Sequence, residues 1–248
     1  MIVKPIKTRV FEPPQDDLPS FIKESLSKIE LKRKSVLVVT SKIVSIGEGR
    51  CVEIDSIQNK DDLIKKEADY YIPREQAPGG HVMLTIKNNI LIPTAGIDES
   101  NARGYYILWP KDPYQSAQRI HGLIKEQFRL NSFGVIISDS HCVLARRGVL
   151  GIAIAYYGFC PIKDCRGNKD IFGRELKITQ VNVADALCAA AVLVMGEGNE
   201  QTPIAIIEDI DFVDFKEFDP QEQNPLIVDQ YEDMYAPLIK GVNWKRGL

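Results

Sequence analysis

The sequence predicts an α+β protein built on a mixed sheet, and three observations carry that expectation. Val- and Ile-rich runs that read as buried strands, among them "SVLVV", "GVII" and "PIAII", are spread along the chain. Amphipathic helical patterns stand between them at irregular intervals, so the regular βαβ alternation of a doubly wound sheet is not present. Neither a GxGxxG after a strand nor a GxxxxGK[ST] occurs, which excludes the standard Rossmann and P-loop routes to phosphate.

Taken in order, the first helix is expected in "DDLPSFIKESLSKI", where Leu18, Phe21, Ile22, Leu26 and Ile29 share one face and Asp16 or Asp17 supplies the cap. The stretch from Ser35, "SVLVVTSKIVS", reads as one buried strand that ends at "IGEGR", whose glycines allow a tight turn. "HVMLTI" and "NNILIPT" read as two strands of a hairpin turning at "KNN". "DPYQSAQRIHGLIKEQFRL" is helical by the recurrence of Ile120, Leu123, Ile124 and Phe128, and "SFGVIISDSH" is a core strand. "RRGVLGIAIAYYGF" has the glycines and branched residues of a strand approached closely by another backbone. "TQVNVADALCAAAVLVMGEG" is a long helix closed by glycine, and "TPIAIIEDI" is a last strong strand. From about Asp211 onward, acids and the aromatics Phe212, Phe215, Phe218 and Tyr231 suggest a surface-wrapping extension with a short helix near "VDQYEDMYAPLI". The whole of 1–248 is expected to form a single domain.

With 44% hydrophobic and 26% charged residues over 248 positions, the chain can bury a substantial core. A net charge of −3 excludes a nonspecific nucleic-acid coat. No stretch of about 18 apolar residues offers a membrane span, and "MIVKPIKTRV" lacks the apolar core of a signal peptide, so a cytoplasmic protein is expected. The five cysteines include no CxxC pair, which argues for reduced thiols rather than zinc or disulfides. His141 and Cys142 are adjacent, point to opposite faces of a strand, and do not make a nucleophile and base; Cys142 is expected to be a small buried thiol.

Three places share one design, an apolar segment followed by a turn that carries a carboxylate among small or amide residues. They are "GIDESN" with Asp98 and Asn101, "ISDSH" with Asp139 and Ser140, and "LVMGEGNEQTP" with Glu197 and Gln201. Hard divalent cations take such oxygen donors, and glycines beside them let backbone N–H groups approach phosphate. A carboxylate after a strand also caps turns and helices, so each alone is a structural feature, and only the set points to a metal and a nucleotide.

In order, "TSKIVSIGEGR", "AGIDESN", "GVIISDS", "RRGVLGIAIA", "KDCRGNKDIFGREL", "VADALCAAAVLVMGEG" and "YEDMY" resemble the blocks of the coenzyme F420-0:γ-glutamyl ligases, from about Val10 to Tyr235. The resemblance implies a mixed-sheet fold, an intertwined homodimer, and a GTP-dependent ligase that adds L-glutamate to a carboxylate-bearing small-molecule acceptor through an acyl phosphate. It also implies two divalent ions, Mg²⁺ or Mn²⁺. By the same resemblance Asp98 and Asp139 hold one ion, and Ser140 with Glu197 the other. The nucleotide would be met by Ser41, Lys42, Asn101 and the segment Met195, Gly196, Glu197, Gly198, Asn199, Glu200, Gln201 and Thr202, and by the loop with Arg9, Val10, Phe11 and Glu12.

Departures accompany the resemblance. The family's lysine before "AEGR" is replaced by Ile46 before "GEGR", which removes a cation from the nucleotide site, with Arg9 as a substitute. The family's "SDTxGRP" becomes "SDSHCVL", which keeps the hydroxyl at Ser140 but loses a Gly-Arg-Pro turn. Arg146 and Arg147 stand as candidates for an anionic acceptor. Altered walls around an intact ligand set admit a folate as alternative acceptor, and a noncatalytic nucleotide-binding homologue is the reading from a different class.

Overall fold

The computed structural model describes residues 1–216, 220 and 224–248. From the N-terminus, β1 (Ile2–Ile6) and α1 (Leu18–Leu26) lead into β2 (Ser35–Thr40), α2 (Ser41–Gly47) and β3 (Cys51–Glu53). Then come α3 (Lys60–Glu67), β4 (Tyr70–Ile72), β5 (Leu84–Lys87), β6 (Ile90–Pro93) and β7 (Tyr105–Ile107). The chain continues through α4 (Pro113–Phe128), β8 (Phe133–Cys142), β9 (Val149–Tyr157), β10 (Ile162–Asp164) and β11 (Gln180–Asn182). It closes with α5 (Val183–Met195), β12 (Ile204–Glu208), α6 (Ala236–Lys240) and β13 (Lys245–Arg246).

A five-stranded sheet in the order β1-β12-β2-β8-β9 forms the centre. Only β2 and β8 run parallel, so the sheet is mixed, as expected. Strand parity sorts its side chains. Leu37, Val39, Val135, Ile137, Ile204 and Ile206 face one core with residues of α1, α2 and α4, whereas Val36, Val38, Ile136, Ala205 and Ile207 face α5. Both faces are covered, which is why these strands read as unbroken apolar runs rather than alternating ones. The close approach foreseen in "GVLGIAIA" occurs at Gly151, where a Cβ would lie 2.6 Å from both Cys188 O and Val192 Cγ2 of α5. A four-stranded sheet, β13-β4-β5-β6, stands beside the centre.

Local chemistry agrees with most of the expected elements. Asp17, not Asp16, caps α1, its carboxylate accepting from the Ser20 N–H at 3.2 Å. Asp112 caps α4 through the Gln115 N–H at 2.9 Å. The β5–β6 hairpin turns at Asn88 and Asn89, both left-handed at φ 49° and 62°, as a two-residue turn matched to strand twist requires.

Three expectations are corrected. The strand from Ser35 stops at Thr40, and "SKIVSIG" is helix α2. Pairing with β12 and β8 ends at Val39 and Thr40, and a helical turn there buries Ile43, Val44 and Ile46, which a strand running past its neighbours would expose. Gln180–Asn182 belongs to strand β11, and helix α5 begins only at Val183, capped by Asn182. The short C-terminal helix expected near "VDQYEDMYAPLI" is Ala236–Lys240. Cys142 is exposed at the far end of β8 rather than buried; all five cysteines are free, and Cys188 is the buried one. In the tail, Phe215 packs against the α5-side core, while Phe212 and Tyr231 are exposed; Phe218 lies outside the described residues. Among the described residues no helix is long and apolar enough to cross a membrane.

Candidate active site

A cavity of about 460 Å³ opens where β2 and β8 end, between α2, the turn before β7 and the segment joining α5 to β12. Its position follows from topology. Parallel neighbours leave their C-terminal ends on one edge of the sheet, and each chain segment leaving that edge must turn there.

Asp139 and Ser140 are consecutive on β8, so the pleat sends them to opposite faces of the sheet. A register shift between Ile137 and Ser138, where β9 carries one extra residue, bends the ladder just before them. Asp139 turns to the side of Trp109, whose Nε1–H donates to its Oδ2, and the Ser140 N–H donates to Oδ1 at 2.9 Å. Asp139 is half-buried and lines the cavity. Burial pushes it up to about 6, against the pull of the Trp109 and Ser140 donors, and the Asp98 carboxylate adds to the rise. Ser140 turns to the α5 side, where Oγ lies 2.8 and 2.9 Å from the two carboxylate oxygens of Glu197.

Asp98 reaches the cavity from a turn rather than directly from a strand end. After β6 a short 3₁₀ turn, Thr94–Gly96, redirects the chain, and Asp98 bridges Ile107 of β7 with paired backbone bonds of 3.0 and 2.8 Å. Gly96 is required there: its φ is +72°, and a Cβ would fall 2.1 Å from Trp109 Nε1. The Asp98 carboxylate receives the Lys42 ammonium at 2.8 Å, the Ser100 N–H at 2.7 Å and the Ser100 hydroxyl at 3.0 Å. Burial opposes its charge, but Lys42 and Ser100 hold it below the ordinary carboxylate value.

The segment after α5 forms the facing wall. Gly196 leaves the helix at φ 81°, the Asn101 side-chain amide donates to Gly198 O at 2.8 Å, and the Gly198 N–H donates to Glu200 Oε2 at 2.8 Å. Met195 through Thr202 all line the cavity, as do Arg9, Val10, Phe11, Ser41, Lys42, Ile46, Asp98, Asn101, Asp139 and Ser140. Three expected residues do not. Glu12 instead pairs with Arg103, which does line it. Arg146 and Arg147 are exposed in the connection between β8 and β9, away from the lining. Two others have altered parts. Ile46 is 2% exposed and belongs to the core, so this position offers the cavity an apolar floor in place of a cation. Arg9 is held by Asp16 at 2.6 Å and Glu24 at 3.3 Å, and is not a free substitute for a lysine.

Trp109 was missed from sequence. Nothing in "YYILWP" marks it, because its part depends on Gly96 and Asp139 meeting it in space.

Among the described residues no three His, Cys, Asp or Glu side chains gather tightly enough to hold a metal by themselves. The oxygen donors line one cavity instead: Ser140 is in contact with Glu197, and Asp98 is near enough to Asp139 to raise its pKa. Such donors fit Mg²⁺ or Mn²⁺ taking one or two protein carboxylates and completing its shell with phosphate oxygens and water.

A family model described as F420-0:gamma-glutamyl ligase matches residues 5–209. A coenzyme F420:L-glutamate ligase of Methanopyrus kandleri is 35% identical over 210 residues, covering 78% of this chain and 81% of that one. The same-named proteins of Methanocaldococcus jannaschii and Methanosarcina acetivorans are each 34% identical, over 75% and 79% of this chain and 80% and 81% of theirs. The chain belongs to the F420-0:gamma-glutamyl ligase family, a family of amide-forming ligases.

Proposed function

We propose that this protein joins L-glutamate to coenzyme F420-0 through an amide bond, consuming GTP. The observation that carries the reading is the meeting of Asp98, Asp139, Ser140 and Glu197 with the glycine-bearing wall 195–202 in one cavity. The relatives' names support the acceptor and the amino acid.

A carboxylate and an amine do not condense unaided near neutral pH. The acceptor carboxylate attacks the γ-phosphorus of GTP, GDP leaves, and the resulting acyl phosphate loses inorganic phosphate when the glutamate amine attacks its carbonyl carbon. Asp98 with Asp139, and Ser140 with Glu197, would hold two divalent ions, Mg²⁺ or Mn²⁺, which when bound neutralise charge on the transferring phosphoryl group. Lys42 orients the phosphates together with backbone N–H groups of 197–202, other than that of Gly198, which Glu200 holds. Asn101 fixes that wall through Gly198, and Ile46 with Phe11 forms an apolar floor that keeps water from the acyl phosphate.

The reading includes a homodimer. Ile171, Phe172, Ile178 and Leu193 are 92%, 89%, 88% and 83% exposed, apolar surface of the kind a second copy covers. Light scattering at micromolar concentration should give twice the 27.9 kDa chain mass, and the chain mass alone would remove the dimer. For the activity, the protein is incubated with GTP, Mn²⁺, labelled glutamate and either F420-0 or a tetrahydrofolate. A product one glutamyl residue heavier than F420-0 is expected; extension of the folate alone would replace the acceptor, and no product with either would leave a nucleotide-binding homologue.

A further inference from the structure

Lys42 stands on the first turn of α2 with its ammonium 2.8 Å from Asp98 Oδ2, 2.7 Å from Ser100 O and 3.0 Å from Ser100 Oγ. An ammonium has three protons, and three acceptors use them all. Asp98 is equally engaged, since Oδ1 takes the Ser100 N–H while Oδ2 takes Lys42 and the Ser100 hydroxyl. The carboxylate assigned to a divalent ion is therefore already neutralised by a cation of the chain itself.

We propose that Lys42 competes with the divalent ion for Asp98 and is released from it to the nucleotide phosphates, so that metal and nucleotide bind interdependently. This rests on the metal and nucleotide reading of the cavity. A divalent ion binding alone through Asp98 displaces the ammonium, which is left beside a second cation and faces only carboxylates, Asp139, Glu197 and Glu200, that line the same cavity and are drawn to the ions as well. Lys42 has a long flexible stem and a 22% exposed side chain at the cavity wall. A triphosphate delivered with the ion supplies the oxygen acceptors that Asp98 gives up. By linkage, each ligand must then raise the affinity for the other by the same factor.

The competition separates from two plainer parts for Lys42 by the sign of two effects. Lys42→Met keeps a long stem and removes the charge. Mn²⁺ binding is measured by electron paramagnetic resonance of the free ion without nucleotide, and binding of the preformed Mn²⁺ complex of a non-hydrolysable GTP analogue is measured by calorimetry. Lys42→Met should bind Mn²⁺ alone about 10-fold more tightly than the parent and the Mn²⁺–nucleotide complex about 10-fold more weakly, within the usual range of coupling between sites. A phosphate contact without competition leaves Mn²⁺ binding unchanged, and a purely structural part weakens both; either result overturns the proposal. Lys42→Gln is the second variant. Loss of folding in both, read by circular dichroism, also overturns it, because an exchangeable counter-ion is not needed for the fold. If the parent binds neither Mn²⁺ nor the complex, the metal and nucleotide reading fails together with the inference, whereas a parent that binds the complex beside an unaltered variant rejects the inference alone.

Discussion

Ser140 Oγ lies within 2.9 Å of both carboxylate oxygens of Glu197, 57 residues further along, and so ties the end of β8 to the turn after α5. Its neighbour Asp139, on the opposite face of the strand, is tied to Trp109. One strand end thus presents two oxygen donors to two sides of one cavity, which neither residue accomplishes without the other's strand parity.

Removing any one charged donor should stop ligation while sparing the fold. Asp98→Asn, Asp139→Asn and Glu197→Gln are expected to lower kcat by about 100-fold or more, the scale of losing one group aimed at developing charge. Steady-state turnover with unfolding curves checks both halves. Near-normal turnover in a folded variant excludes that residue, and unfolding marks it as structural.

Trp109 positions Asp139 through its indole N–H. Trp109→Phe keeps an aromatic side chain but replaces the indole with a smaller phenyl and deletes the N–H, so Mn²⁺ affinity in the presence of nucleotide should fall about 10- to 100-fold, the range for groups that orient metal ligands. Gly96→Ala should reach the same end by pushing the indole aside, at about 1–3 kcal/mol of stability, since its Cβ would stand 2.1 Å from Nε1 at a left-handed φ. Calorimetry and urea unfolding separate the two effects. Unchanged Mn²⁺ affinity in Trp109→Phe would remove the positioning role.

Acid should loosen the cavity's outer wall through Asp16. The Arg9 guanidinium, followed by the Glu12 and Asp17 N–H groups, holds its carboxyl down at about 2, against a modest opposing burial. A depressed folded pKa means that the contribution to stability is present above the ordinary carboxylate value and is lost as pH falls through about 2. Parent and Asp16→Asn should therefore differ in stability at neutral pH and converge in acid. The gap should also shrink in 1 M salt, because Arg9 is 39% exposed. A gap independent of pH would show that the charge plays no part.

Ile46→Lys should not restore a nucleotide contact. The position is 2% exposed among Ile43, Val44 and the α1 side chains, so a lysine there strands an ammonium in apolar surroundings. A loss of about 2–4 kcal/mol is expected by urea unfolding, with no gain in nucleotide affinity. Tighter nucleotide binding by a stable variant would contradict this packing.

Much of this was legible because it is local. Spacing marked α1 and α4, "KNN" marked a hairpin turn, and polar residues following three apolar segments marked Asp98, Asp139 and Glu197. What was not legible depends on where an element stops relative to its neighbours. Ser41 begins a helix because β12 and β8 cease to pair at that level, which the β-branched residues of "SKIVS" cannot show. Cys142 is exposed for a similar reason. Trp109 and the buried setting of Ile46 are tertiary facts, and Arg146 and Arg147 read as cavity residues only while the length of β8 was unknown.

Activation of the acceptor carboxylate by phosphoryl transfer in this cavity can be read from the fate of its oxygen. F420-0 labelled with ¹⁸O in its terminal carboxylate is converted with GTP, Mn²⁺ and L-glutamate, and the released phosphate is examined by mass spectrometry. Glutamylated product should form in step with phosphate carrying one ¹⁸O from the acceptor. Product formed with unlabelled phosphate would contradict it.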